Sequence, residues 1–166
     1  ESFSADGKKF VDNCLKSLTF GPGLPSVLRV LLEVLKVYPE LSPSIDMTIE
    51  KFVVKKLLNA PATHSSSKKD RSIQMHARVQ GIKLISVYLS HCDLENEVAE
   101  KLLNHLQHIV HEQGEVSTDR STSKSDRATL RLVAGSCLLK VAKSMLDLFP
   151  PQAFLTLSQL LYDEDT

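Results

Sequence analysis

The residues best equipped for chemistry are three histidines, a Gly-Ser-Cys run and a set of paired basic side chains. His105, His108 and His111 recur at steps of three. At helical spacing they spread over about 120° of surface, so the three do not converge on one metal ion. His108 and His111 could pair, but no Cys or carboxylate stands at a recognised ligand spacing. Solvated helix histidines are the plainer expectation. Gly135-Ser136-Cys137 lacks both the preceding strand and the second glycine of a nucleophile elbow. Ser136 falls inside a helical pattern, where a small residue serves a helix contact. No catalytic constellation and no metal set emerges, and an enzyme is the reading these residues support least.

The basic residues are more informative. Lys51 and Lys55 stand one turn apart, as do Arg127 and Arg131, and Arg78 and Lys83 belong to one further helix. If these helices stack, the six cations line a groove suited to an acidic peptide or a polyphosphate. They are the candidate partner-binding residues, weighed against an ordinary solvated face. Lys68, Lys69 and Arg71 lie in a Ser-rich stretch that reads as a soluble linker. Ser65 to Ser67 and the serines between 117 and 125 could accept phosphate, an unspecific signal.

Helices must position these groups. The longest pattern runs from 123 to 165. Ser125 is expected to cap its first helix, with Asp126 in the first turn. Leu130, Val133, Ala134, Cys137, Leu138, Val141, Ala142, Met145 and Leu146 then recur at helical spacing. Gly135 and Ala142 are small enough for a neighbouring helix to come close. Pro150 and Pro151 break the pattern, and Pro151 suits the first turn of the next helix. Phe154, Leu155, Leu157, Leu160 and Leu161 form that helix's apolar stripe. Two such helices cannot hide their apolar sides alone and need further pairs stacked beside them, as in a helical solenoid.

Five more helices are expected upstream. The first spans 6–18. After the Gly/Pro break at 20–25 a second spans 26–38, apolar nearly all round and therefore expected to be buried on several sides. The third spans 42–59, with Ser42 as cap and Pro43 in its first turn. The fourth spans 73–89 and contains Gly81, which costs up to about 1 kcal/mol against Ala unless close packing requires it. The fifth spans 94–112. Polar loops expected to be flexible separate them at 61–72 and 113–124. Helices two and six both end in aromatic-Pro with another Pro-led helix following, a recurrence that fits a solenoid. The chain reads as all-α: one block, 1–166, of about seven helices and no strand.

Composition narrows the class. The 166 residues suffice for a substantial core. Twenty basic and twenty acidic residues cancel, which argues against a dedicated nucleic-acid module. No apolar run approaches the roughly 20 residues of a membrane span, and no signal peptide is legible at 1–12. Cys14, Cys92 and Cys137 are widely spaced and odd in number, as expected of a reduced intracellular chain.

Particular stretches carry a family resemblance. Residues 151–165 look like a HEAT repeat up to its Asp-x-Asp ending, Asp163-Glu-Asp165. Ser123-Lys-Ser-Asp126 feeding into Leu130-Arg-Leu-Val-Ala-Gly-Ser136 is similar to the Pds family ("precocious dissociation of sisters"), cohesin-associated regulators of sister-chromatid cohesion. Phe52-Val-Val-Lys-Lys-Leu-Leu58 resembles that family's Phe-Ile/Val-Val-Lys-x-Leu-Leu core. Ala77-Arg-Val-Gln-Gly-Ile-Lys-Leu-Ile85 resembles its Lys-Val-Gln-Ala-Ile-Lys-Leu-Leu helix, with Gly81 where the family has Ala. The match covers 41–165 in order. It weakens before Pro25, where family members place a further helix and this chain has only Gly21-Pro-Gly-Leu24. The resemblance implies a HEAT-repeat (armadillo-like) α-solenoid, of which this chain is a central fragment, without enzymatic activity. It also implies a nuclear, chromosome-associated regulator that binds the kleisin subunit of cohesin and cooperates with the releasing factor Wapl through the full-length protein. Chromatin is contacted indirectly and no membrane is involved. No cofactor is expected, although some members bind inositol hexakisphosphate, so a polyanion-binding module for an inositol polyphosphate or DNA is the alternative.

Overall fold

The computed structural model describes residues 2–61, 67–92, 96–145 and 149–162. The chain forms α1 (Ser2–Lys16) and α2 (Leu24–Val37), then a 3-10 segment (Pro39–Ser44). A single α-turn, α3 (Asp46–Thr48), runs on into a π-helix, π1 (Ile49–Leu58). There follow α4 (Lys68–Leu89), α5 (Glu97–His111), α6 (Lys124–Ser144), α7 (Pro151–Ser158) and a closing 3-10 turn (Gln159–Tyr162). No strand occurs among the described residues, in line with an all-α, HEAT-like solenoid.

Stacking follows alternate helices. α4 lies between α2 and α6 and packs on both, which makes one layer. π1 packs on α4, while α5 packs on α6 and touches α7, which makes the other. The core between them is continuous, built from Leu28, Leu31 and Leu35 of α2, Ile49, Val53 and Leu57 of π1, Ile82 and Ile85 of α4, Leu106 of α5 and Leu138 of α6. Each such side chain stabilises the fold by about 1.5–3 kcal/mol through burial. The Ser86 hydroxyl donates to the Cys137 carbonyl at 3.3 Å and joins α4 to α6 within their layer.

The small residues act as expected. A Cβ at Gly81 would lie 2.8 Å from Val53 Cγ1 and 3.3 Å from Leu57 Cδ2, so α4 approaches π1 this closely only without a side chain there. A Cβ at Gly135 would collide with Leu160, which lets the last turn close over α6.

The local rules departed from the sequence reading at several points. α6 is capped by Ser123, whose Oγ accepts from the Asp126 N–H at 3.2 Å, and not by Ser125. Ser125 is already inside the first turn, its carbonyl accepting the Thr129 hydroxyl. The single helix expected over 42–59 is three pieces. Pro43 has no N–H to donate, the Ile45 N–H closes a tight turn on the Ser42 carbonyl at 3.0 Å, and Ser42 makes no side-chain cap. Further along, the Asn59 N–H reaches back to the Val54 carbonyl, a π-type bond. α4 begins at Lys68, well before 73, because Ser67 and Asp70 form a reciprocal capping box. The 61–72 loop therefore ends at Ser67, and its residues 62–66 lie outside the described structure. In α5, Asn96 caps by accepting from the Val98 N–H at 2.9 Å, so the helix starts at Glu97. The start expected at Leu94, the Leu146 position and the acidic Asp163–Asp165 ending also lie outside the described residues.

The 113–124 segment is folded around a carboxylate. Glu115 is buried and accepts from the Val116 and Ser117 N–H groups and from the Ser117 and Thr122 hydroxyls. Gly114 turns the chain out of α5 at φ 83°, where a Cβ would collide with the Arg127 carbonyl.

Candidate functional site

The α2–α4–α6 layer carries an open groove on its outer side. Arg29 and Lys36 border it from α2, Gln80 and Lys83 from α4, and Lys140 from α6, around a volume of about 420 Å³. Arg29 and Lys36 are seven residues apart and share one side of α2, about 100° round the helix from the buried Leu28 and Leu35. Glu33 is the carboxylate in the lining, and it is tied to Lys36 Nζ at 3.0 Å. Four cations against one carboxylate leave a net of three positive charges here, in a chain whose total is zero. A concentrated field of that kind attracts an anionic segment.

The groove has little covalent chemistry to offer. Cys137 contributes to its floor. Burial pushes the thiol pKa up, with the nearby Ser86, Lys140 and Lys83 opposing that shift. A thiol held protonated is a poor nucleophile. Among the described residues, no group of three His, Cys, Asp or Glu is placed to hold a metal ion.

Of the six basic residues singled out from the sequence, the groove contains Lys83. Lys51 and Lys55 are exposed on π1, in the other layer, and Lys55 pairs with Glu50 at 3.3 Å. Arg127 and Arg131 are half-buried on α6. Arg131 lies about 180° round the helix from Lys140, and Arg127 is on the same side as Arg131. Arg78 is a correction to the expected surface set, because it is 4% exposed. Its Nη2 donates to the Ala60 carbonyl at 2.5 Å and its Nε to the Leu57 carbonyl at 3.4 Å. Thr118 donates to the neighbouring Asn59 carbonyl. These bonds satisfy carbonyls that the end of π1 would otherwise leave orphaned. Burial lowers the Arg78 pKa, with Glu115, Asp126 and Asp119 opposing that shift.

Arg29, Lys36 and Lys140 escaped the sequence reading because pairs were sought one turn apart along single helices. The groove instead takes its cations from alternate helices of one layer. The signal lay in α2, where Arg29 and Lys36 are the two basic residues of a mainly apolar helix and stand seven residues apart.

A second, polar cavity of about 380 Å³ lies in the other layer, with Asn59, His105, His108, Glu112, Glu115 and Arg120 in its wall. His105 is not the solvated histidine expected from its spacing. Its Nε2 is enclosed, and burial, aided by His108, lowers its pKa to about 4. His111 is exposed beside Glu112, at 3.5 Å. Arg120 Nη2 bridges to the other Glu112 oxygen at 3.3 Å.

Compared with known proteins, residues 4–166 match the family model described as "Sister chromatid cohesion protein PDS5 protein". No curated protein and no solved structure matches the chain.

Proposed function

Because the chain belongs to the PDS5 family of sister chromatid cohesion proteins, we propose that it acts there as a non-enzymatic scaffold holding a segment of the cohesin kleisin subunit in the α2–α4–α6 groove. One observation carries this reading: Arg29, Lys36, Lys83 and Lys140, from three stacked helices, converge on one open groove. An acidic kleisin segment laid across that layer meets all four cations at once. Each exposed pair is worth only about 0.2–1 kcal/mol, so it is the convergence that selects the partner. On this reading the chain works at chromosomes in the nucleus. It tunes the maintenance or release of cohesin, with Wapl engaged through the longer protein.

The experiment is a calorimetric titration of the chain with unlabelled peptides tiling the kleisin, at two salt concentrations. Saturable binding of one peptide, weakened but not abolished at the higher salt, supports the reading. A helical, cooperatively melting chain that binds none of the peptides overturns it. The same cations favour a second reading, an inositol polyphosphate such as inositol hexakisphosphate, or DNA. That reading predicts a much steeper salt dependence, because each neutralised phosphate releases counterions. Titration with the polyphosphate alone separates the two.

A further inference from the structure

We propose that the occupant of this face is an amphipathic helix that sets carboxylates against the cationic groove and lays two apolar side chains, one heptad apart, along Val30 and Val37 of α2. This deepens the partner reading above and rests on it for the identity of the segment.

The inference starts from an anomaly in α2. A helix that is apolar nearly all round is expected to be buried on several sides. The core takes Leu24, Leu28, Leu31, Leu32 and Leu35. Val30 and Val37 remain 42% and 66% exposed, so they add little to the fold. They are seven residues apart, which places them on one side of the helix about 10.5 Å from each other. Together with Ser26, Val34 and Tyr38 they line a shallow groove of about 450 Å³.

Position identifies the occupant. This shallow groove shares Arg29 and Glu33 with the cationic one. The two therefore form one surface across α2, apolar along its crest and positive along the side that meets α4. A partner helix resting on the crest presents one stripe to Val30 and Val37 and its flank to Arg29, Lys36, Lys83 and Lys140. Matching that surface requires apolar residues at a heptad interval, the repeat by which neighbouring helices mesh, and acidic residues on the adjoining flank. Charge complementarity excludes a basic amphipathic helix from the same place. Apolar anchors in a helix-in-groove mode supply affinity, and the charges supply orientation.

The test uses two probes on the 166-residue chain. One is the kleisin segment selected by tiling. The other is a designed acidic helix with two leucines a heptad apart, with a control carrying serines in place of those leucines and a basic version carrying Lys for Glu. Val methyl resonances of the labelled chain report contact directly. The expected result is that the acidic leucine helix shifts the Val30 and Val37 methyls while the serine and basic peptides do not. Val37→Asp and Lys83→Glu should each weaken binding about tenfold, the scale of one interface anchor. Val37→Ser, which adds no charge, should act in the same direction. Because Val30 and Val37 are exposed, these variants keep the parent melting transition.

If the designed helix does not bind, or binds Val37→Ser and Val37→Asp as tightly as it binds the parent, the inference fails. It also fails if a kleisin peptide binds with unaltered affinity to both valine variants, an outcome that leaves the kleisin reading standing. If the designed helix binds as described and no kleisin peptide does, the surface is upheld and the kleisin reading falls. Sedimentation showing a dimer that Val37→Asp dissociates would make the crest a self-interface and overturn the proposal.

Discussion

Arg78 Nη2 donates to the Ala60 carbonyl at 2.5 Å, which makes this arginine a clamp on the end of π1 and removes it from the binding surface. Removing it leaves the Leu57 and Ala60 carbonyls without their donor in a buried setting, at about 1–3 kcal/mol. Arg78→Met should therefore lower the urea midpoint clearly. Arg78→Glu should lower it further, since Glu115, Asp126 and Asp119 already bear on this position. Lys83→Ala, in the open groove, should stay within about 0.5 kcal/mol of the parent. Equal loss of stability from Arg78→Met and Lys83→Ala would contradict this division of roles.

Gly81 tests the fit between α4 and π1. Alanine is the better helix former by about 1 kcal/mol, but its Cβ would stand 2.8 Å from Val53 Cγ1. Overpacking of that kind costs about 1–3 kcal/mol. Gly81→Ala is expected to destabilise in the parent and to stabilise in a Val53→Ala background. A double-mutant cycle in chemical denaturation measures the coupling, and additive effects would show that the contact yields without cost.

The helices were legible because apolar periodicity and Gly/Pro punctuation are local signals. Pro151 opening α7, Gly81 admitting π1 and the close approach at Gly135 were all readable on that basis. The capping residues were less so, because Ser123 and Ser125 both precede Asp126 and only the backbone at the helix start distinguishes them. Neither the burial of Arg78 nor the carboxylate knot at Glu115 was legible. Arg78 depends on carbonyls at the end of π1, another element, and Glu115 on how its own segment folds back to bring Val116, Ser117 and Thr122 around one carboxylate. Lys83 reached the groove by the reading of its helix. Arg29, Lys36 and Lys140 required knowledge of which helices share a layer, and that order is a property of stacking.

His105 gives the chain a pH dependence. Its folded pKa lies near 4, against about 6.5 when unfolded. Between these values the unfolded chain binds the proton and the folded chain does not. Stability is therefore intact above about pH 6.5 and falls as pH drops toward 4. The loss attributable to this group between pH 7 and pH 5 is about 2 kcal/mol. Urea midpoints followed over that range should fall for the parent and run flatter for His105→Gln, and parallel curves would remove His105 as the cause.

Glu115 governs the adjoining segment. Burial tends to raise its pKa, but hydrogen bonds from Thr122, Ser117 and the Ser117 and Val116 N–H groups prevail and hold the carboxyl below its usual value. Its contribution is present above the unfolded pKa and is lost as pH falls through the folded one, at lower pH than the His105 effect. Glu115→Ala strands those donors and should cost about 1–3 kcal/mol. Amide exchange should quicken at Val116, Ser117 and Ser121 before the α2–α4–α6 layer is affected, and uniform acceleration throughout the chain would contradict a local role.

The most direct measurement of the central claim is the affinity of the kleisin peptide for two charge-reversed variants. One carries Lys83→Glu and Lys140→Glu in the groove, and the other carries Lys51→Glu and Lys55→Glu on the opposite layer. The net charge change is the same in both, so long-range attraction cancels in the comparison. The groove variant should bind at least about tenfold more weakly than the parent, with a shallower salt dependence, while the π1 variant stays within about twofold. Equal weakening in both, or none in the groove variant, would contradict the assignment of the α2–α4–α6 groove as the partner site.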